Sequence, residues 1–293
     1  MCKNSEFPGQ KLRTDLVSDA TKTATYVNAA LKPLLSTLKT ALGAGGVVIE
    51  IINEPEWCMS IDASTCTTDK CVAPAEMQRF VGTLAAAVHD VGLKVTVGSA
   101  ALKWDATGGS ALGNWWNDSA LAAATSGKLG KRATLDHYQV HYYDWMFNPS
   151  WGYDPCREST SYWALDKPTV VGELPAASEH YSASAMMACA EKNGFMGDMF
   201  WAYNDPGLPL APALPALRAF AKAHGATASY SALSAWLAAP TPPPTPPPPT
   251  PCTDVGPDTN SCEDQKSWGK CGESWMVGYC CKSCFDCAPK CGK

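Results

Sequence analysis

The chain has 293 residues, which is enough for one large domain and one small one. A net charge of -5 and the lack of a basic run argue against nucleic-acid binding, and no run of about 18 apolar residues predicts a membrane span. Apolar residues at 46% and charged residues at 17% are ordinary for a globular protein.

Predicted helices and strands alternate along most of the chain. A helix is expected over 14–42, where apolar residues recur at helical spacing, with a kink or two abutting helices at Pro33. The remaining elements follow in order: strand 47–53, helix 74–91, strand 94–99, helix 119–126, strand 138–143, strand 169–173, helix 182–192, strand 197–203 and helix 213–224. This alternation predicts parallel strands joined by right-handed crossovers.

The number of strands falls short of a closed barrel. Five strands are found, whereas an eight-stranded α/β TIM barrel needs eight. We therefore expect a (β/α)8 barrel that lacks about its first three strands, in a domain covering residues 1–238.

Cysteines indicate a second domain and a cellular location. Eight of the 14 cysteines lie in the last 42 residues, which predicts a disulfide-rich module over 252–293 and an oxidising, extracellular compartment. A proline-rich linker over 239–251 should form a stiff polyproline II spacer. Because Met1-Cys2-Lys3-Asn4 does not begin a signal peptide, we expect the N-terminus of the protein to be missing from this chain.

The first predicted strand ends in a notable tripeptide, Asn53-Glu54-Pro55. Its nearly continuous apolar run is typical of a parallel strand covered on both faces, and Pro55 should stop it. Glu54 is then a carboxylic acid at the C-terminal end of a strand, where α/β barrels carry their chemistry. The structural alternative is a polar strand terminator with no further role. Glu50, inside the strand, is expected to point elsewhere.

Later strands also end in chemically useful residues: His141-Tyr142-Tyr143, Glu173, and Trp201-Ala202-Tyr203-Asn204. Glu54 and Glu173 would lie at the same rim and face each other across a barrel. Two facing carboxylates with aromatic residues between them are what glycosidic bond hydrolysis requires. A strand-end His or Tyr can also be purely structural, and Glu56 and Asp144 are rival carboxylates.

These motifs, in this order on consecutive strands over residues 14–225, resemble glycoside hydrolase family 5. The resemblance implies a retaining barrel enzyme for β-linked polysaccharides, with Glu54 as acid/base of raised pKa and Glu173 as ionised nucleophile. It further implies that Asn53 binds the sugar 2-hydroxyl, that Tyr143 and His141 hold the carboxylate network, and that Trp201 stacks on the sugar. The family's Arg and His from earlier strands have no counterpart here.

Fewer residues indicate which polysaccharide is the substrate. Residues 136–141, Trp145 and the long loop after Pro55 look most like the β-mannanases of that family, with cellulose or another β-glucan as the alternative. Loop tryptophans that could form sugar subsites or loop core are Trp57, Trp104, Trp115, Trp116, Trp145 and Trp151. A different class of function is a non-catalytic carbohydrate-binding or matrix protein on a degenerate barrel.

Neither a metal nor a cofactor is expected, because no cysteine or histidine spacing fits zinc. Disulfides are expected among Cys58, Cys66 and Cys71, and Cys156 and Cys189 each need a partner; the sequence leaves the pairing open.

The C-terminal module carries eight cysteines with Trp268-Gly269 and Trp275-Met276 between them, and it resembles the ShKT domain. The resemblance implies the pairs Cys252–Cys287, Cys262–Cys280 and Cys271–Cys284. Residues 272–279 contain no lysine, which argues against channel block and favours an extracellular protein or matrix contact. A role for the protein that rests on this module alone is a further alternative.

Overall fold

A computed structural model describes residues 14–43, 45, 47–61, 65–66, 71–148, 151, 153–202, 207, 209–224, 254, 261–272, 280 and 283–284. The chain divides into two compact units, Met1–His224 and Gly225–Lys293. The predicted proline-rich linker lies outside the described residues.

The N-terminal helical segment is interrupted at two places. It consists of α1 (Thr14–Ser18), α2 (Ala20–Tyr26), a π-helical turn (Val27–Leu31) and α3 (Lys32–Leu42). The first break arises because the Asp19 carboxylate accepts hydrogen bonds from the backbone N–H of Thr21 and Lys22 and so caps a new helix. Near Pro33 the helix continues, but its turn widens by one residue into a π-helical turn. Proline lacks the N–H that a regular α-helical turn would use.

The five predicted strands form one sheet in sequential order with every neighbour parallel. They are β1 (Val48–Asn53), β2 (Lys94–Ser99), β3 (Tyr138–His141), β4 (Thr169–Pro175) and β5 (Asp198–Trp201). The result is a half-barrel α/β fold. Its edge strands leave apolar side chains open to solvent, since Val48 and Trp201 are each 44% exposed.

The strands alternate with α4 (Pro74–Asp90), α5 (Asp118–Ala124), α6 (Ala183–Lys192) and α7 (Leu214–Ala223). Pro74 occupies the first turn of α4, where its missing N–H costs nothing. The apolar face of α4, including Phe80 and Leu84, is buried in a core shared with β2. No helix in the described part of the chain is long and apolar enough to cross a membrane.

The structure shows disulfide pairings that the sequence left open. Cys66 is bonded to Cys71, and Cys156 in the loop after β3 is bonded to Cys189 in α6, with Cα atoms 4.9 Å apart. Cys58 is also disulfide-bonded.

In the C-terminal unit, helix α8 (Cys262–Ser267) begins with a capping box made by Ser261 and Asp264. Cys262 pairs with Cys280 and Cys271 with Cys284, as the ShKT resemblance implies. The remaining implied pair, Cys252 and Cys287, lies outside the described residues.

Candidate active site

The site is built at the C-terminal ends of the strands, where four of the predicted residues meet. Glu54 directly follows β1, His141 ends β3, Tyr143 follows two residues later, and Glu173 lies in β4. Parallel strands bring these ends to one rim of the sheet. Residues far apart in sequence therefore meet at this rim, which we call the mouth of the site.

The backbone of Glu54 adopts an unusual conformation. Its φ of 47° and ψ of 52° are left-handed, which is uncommon for a residue other than glycine. The Glu54 N–H donates to the Gly98 carbonyl oxygen of β2 at 2.6 Å, and Pro55 begins a 3-10 turn directly afterwards. This turn ends the strand and directs the Glu54 side chain towards the mouth.

His141 lies between the two carboxylates. Its Nδ1 is 2.9 Å from Glu54 Oε1 and 3.4 Å from Glu173 Oε2, and its side chain is fully buried. One oxygen of each glutamate and the His141 nitrogen all lie within 4.8 Å of one another. This upper limit is compatible with the roughly 5 to 5.5 Å between the carboxyl groups of retaining glycosidases and lies below the roughly 6.5 to 9.5 Å of inverting ones.

Each carboxylate also accepts a hydrogen bond from an aromatic side chain. Trp57 Nε1 donates to Glu54 Oε2 at 2.9 Å, and the Tyr143 hydroxyl donates to Glu173 Oε2 at 2.5 Å. The hydrogen bond from Trp57 to Glu54 was not predicted. Trp57 lies three residues after Glu54, in the turn that follows Pro55, and this spacing could have indicated it. These donors fix both carboxylates in orientation.

Burial raises the pKa of Glu173 above its ordinary value. His141 and the Tyr143 hydroxyl act in the opposite direction, while the negative charges of Glu54 and Glu50 raise the pKa of Glu173 further. Glu173 therefore stays protonated to a higher pH than an ordinary glutamate does.

The expectation that Glu50 points away from the site is wrong. Its carboxylate accepts a hydrogen bond from Gln139 Nε2 on β3, and its charge raises the pKa of Glu173. A period of two in fact places residues 50 and 54 on the same face of a strand. Gly98 leaves room for this side chain, because an added Cβ there would lie 2.8 Å from Glu50 Oε1.

Asn53 and Trp201 end the two edge strands at the same rim. Asn53 is exposed and its Oδ1 lies beside Gly98 of β2, whereas Trp201 pairs with Pro175 of β4 and is 44% exposed. The peptide bond between Trp201 and Ala202 is cis. The predicted Tyr203 and Asn204 lie outside the described residues.

The loop tryptophans divide into core and surface. Trp104 and Trp116 are fully buried, whereas Trp145 is 47% exposed. A continuous set of ring contacts runs from Trp104 through Trp57 to Trp145, with centroids 5.5 and 6.2 Å apart, and Trp151 packs edge-on against Trp145 at 4.7 Å. An exposed aromatic ring is therefore held rigidly beside the residue that binds Glu54.

Glu54, His141 and Glu173 are also the group of ligand-type side chains in the described residues that is compact enough to hold a metal ion. The Trp57 and Tyr143 hydrogen bonds to the two carboxylates compete with that use.

A sheet of parallel strands that brings one oxygen from each of two hydrogen-bonded carboxylates within 4.8 Å at its rim has the parts that retaining glycoside hydrolysis needs.

Comparison with known proteins points to one class of such proteins. The chain is 32% identical over 212 residues to a mannan endo-1,4-β-mannosidase of Mytilus edulis, covering 65% of this chain and 55% of that protein. The solved β-mannanase of the same mussel matches with a TM-score of 0.58 at 29% identity, over 70% of this chain and 60% of that one. The endo-1,4-β-mannanase of Eisenia fetida matches with a TM-score of 0.59 at 26% identity, over 70% and 62%.

The half-barrel fold therefore matches that of the mannanase structures. The chain spans about half the length of the curated relatives it matches. No family model matches it.

Proposed function

We propose that the protein is a retaining endo-β-1,4-glycosidase whose substrate is mannan. The observation that carries this proposal is the placement of the Glu54 and Glu173 carboxylates, within 4.8 Å of each other, around His141. The similarity to β-mannanases favours mannan over cellulose or another β-glucan.

The proposed reaction has two steps. Glu173 attacks the anomeric carbon while the glycosidic bond breaks, and the proton of Glu54 passes to the departing oxygen. Water then attacks the glycosyl-enzyme, Glu54 takes a proton from that water, and Glu173 leaves as a carboxylate. Each displacement inverts the configuration of the anomeric carbon, so after two displacements the product keeps the β configuration.

The other predicted residues have supporting parts in this proposal. Tyr143 stabilises the charge on Glu173 when it departs, and His141 holds the two carboxylates at a fixed separation. Asn53 would bind the 2-hydroxyl of the sugar, and Trp201 would stack on its ring from the edge strand.

Two variants of the full-length protein test the roles of the carboxylates. Glu54→Gln should reduce hydrolysis of mannan by about 10²- to 10⁴-fold, the usual contribution of a general acid, and Glu173→Ala should abolish it. Exposed Glu179 offers a matched control, and Glu179→Gln should keep full activity. A 2-fluoro-mannosyl fluoride should attach to the peptide that contains Glu173, and labelling of another residue would reject the assignment.

A second candidate is a carbohydrate-binding or matrix protein without catalysis. The observation in its favour is that Trp145 and Trp201 are both about half exposed, and such rings bind sugars whether or not hydrolysis follows. Retardation of the full-length protein on mannan gels without release of reducing sugar would favour this candidate.

We also propose that the protein is secreted and that the C-terminal unit, with its Cys262–Cys280 and Cys271–Cys284 bridges, contacts an extracellular protein or matrix. Deleting residues 252–293 should then leave hydrolysis of soluble mannan unchanged and reduce retention on the matrix.

A further inference from the structure

Two acidic residues that the proposed reaction does not use are buried together beside the site. Glu56 is 0% exposed and Asp105, in the loop after β2, is 1% exposed. Glu56 was a rival for the catalytic role, but complete burial prevents it from touching a polysaccharide. Buried carboxylates are costly, so their presence two residues from Glu54 requires a physical reason.

Glu56 is bound at both of its oxygens by N–H groups. Oε1 accepts from the Trp116 indole at 2.8 Å, and Oε2 accepts from the Ala100 backbone N–H at 3.0 Å. Ala100 directly follows β2. The Glu56 carboxylate therefore ties the turn after β1 to the end of the neighbouring strand.

The same turn is attached to β2 at a second point, where the Glu54 N–H donates to Gly98. At its far end Trp57 packs edge-on against buried Trp104 and donates its indole N–H to Glu54 Oε2. Glu56 lies between these two contacts. Its tether determines where Glu54 and its donor Trp57 stand relative to the strand ends.

The neighbouring acid favours one distribution of charge. Burial raises the pKa of Asp105 well above its ordinary value, the charge of Glu56 raises it further, and Ser99 lies beside both carboxyl groups. Asp105 Oδ2 has no hydrogen-bond partner among the described residues, and a neutral carboxyl group tolerates such burial better than a second negative charge beside Glu56 does. Burial raises the pKa of Glu56 as well, whereas its hydrogen bonds from the Ala100 N–H and the Trp116 indole lower it, and these two N–H donors match an ionised carboxylate.

We propose that ionised Glu56, beside a protonated Asp105, is a positioning residue that holds Glu54 in place as the general acid. This inference rests on the proposed function of Glu54. It assigns to Glu56 no contact with substrate, so its effect on kcat/KM, which reports the first displacement, should appear only with leaving groups that need a proton from Glu54.

Glu56→Gln in the full-length protein tests the proposal, because an amide cannot accept hydrogen bonds from both the Ala100 N–H and the Trp116 indole. We expect kcat/KM for mannohexaose to fall by about 10- to 100-fold, as misplacement of a catalytic group does, with KM little changed. For a dinitrophenyl β-mannoside, whose leaving group needs no proton, kcat/KM should stay within about threefold of wild type.

Asp105→Asn is the matched control, since asparagine replaces a protonated acid without a change in charge; both kcat/KM values should stay within about threefold. If Glu56→Gln fails to fold, Trp116→Phe removes one of the two donors and should show the same leaving-group dependence more weakly.

Equal losses on both substrates would overturn the proposal, because they indicate general damage to the site. So would an unchanged Glu56→Gln enzyme, or a loss confined to Asp105→Asn. An inactive wild type would instead reject the function proposed for the whole protein.

Discussion

Removing the Tyr143 hydroxyl tests how the site controls Glu173, the proposed nucleophile. That hydroxyl lies 2.5 Å from Oε2 of Glu173, and the Glu173 side chain is only 13% exposed. A hydrogen bond to a charged group contributes about 1.5–3 kcal/mol. Tyr143→Phe should therefore lower kcat by about 10- to 100-fold, because the Glu173 carboxylate becomes a poorer leaving group from the glycosyl-enzyme.

The change in pH dependence has a definite sign. The Tyr143 hydroxyl lowers the pKa of Glu173, so its loss raises that pKa further. Glu173 must be ionised to attack, and the acidic limb of kcat/KM should move to higher pH. Exposed Tyr162 provides the control, and Tyr162→Phe should leave the profile unchanged. An acidic limb that stays in place or moves to lower pH in Tyr143→Phe would refute this reasoning.

Further predictions concern packing, crosslinking and metal. An added Cβ at Gly172 would lie 2.5 Å from Gln139 Cδ, so Gly172→Ala should lower the free energy of unfolding by about 1–3 kcal/mol in urea titrations. Replacing Cys156 and Cys189 by serine opens a 33-residue loop and should lower the unfolding free energy by up to about 3.7 kcal/mol. EDTA should leave hydrolysis of mannan unchanged, because the proposed acid/base and the proposed nucleophile are both carboxyl groups.

Each of these three predictions has an outcome that would contradict it. Gly197 has open space around it, so Gly197→Ala should be nearly neutral, and a similar loss at both glycines would reject the crowding argument. Equal unfolding midpoints with and without the Cys156–Cys189 bridge would show that the loop is already ordered by other contacts. Activity lost with EDTA and restored by one cation would assign Glu54, His141 and Glu173 to a metal.

Much of the sheet could be predicted because local chemistry determines it. The β-branched run before Asn53 is incompatible with an exposed loop, and Pro55 lacks the N–H that a longer strand would need. The rim location of Glu54 and Glu173 then follows from parallel strands alone. The break at Asp19 was missed because helical spacing of apolar residues continues through it, and the capping preference of a single side chain decided the outcome.

Other features depended on distances that no sequence pattern carries. Cys156 and Cys189 are partners because α6 packs beside the loop after β3. Glu50 was assigned the wrong direction through an error in applying the strand period. Glu56 looked like one more acid in a polar turn, and only its complete burial distinguishes it from Glu54.

The order of the strands bears on how the protein is made. In the described sheet each strand pairs only with its neighbours in sequence, so strands can add one at a time as the ribosome releases them. Glu54 emerges with the first of them, while Glu173 arrives only with the fourth. Under the proposed function, a nascent chain holds only one of the two carboxylates until β4 has been translated.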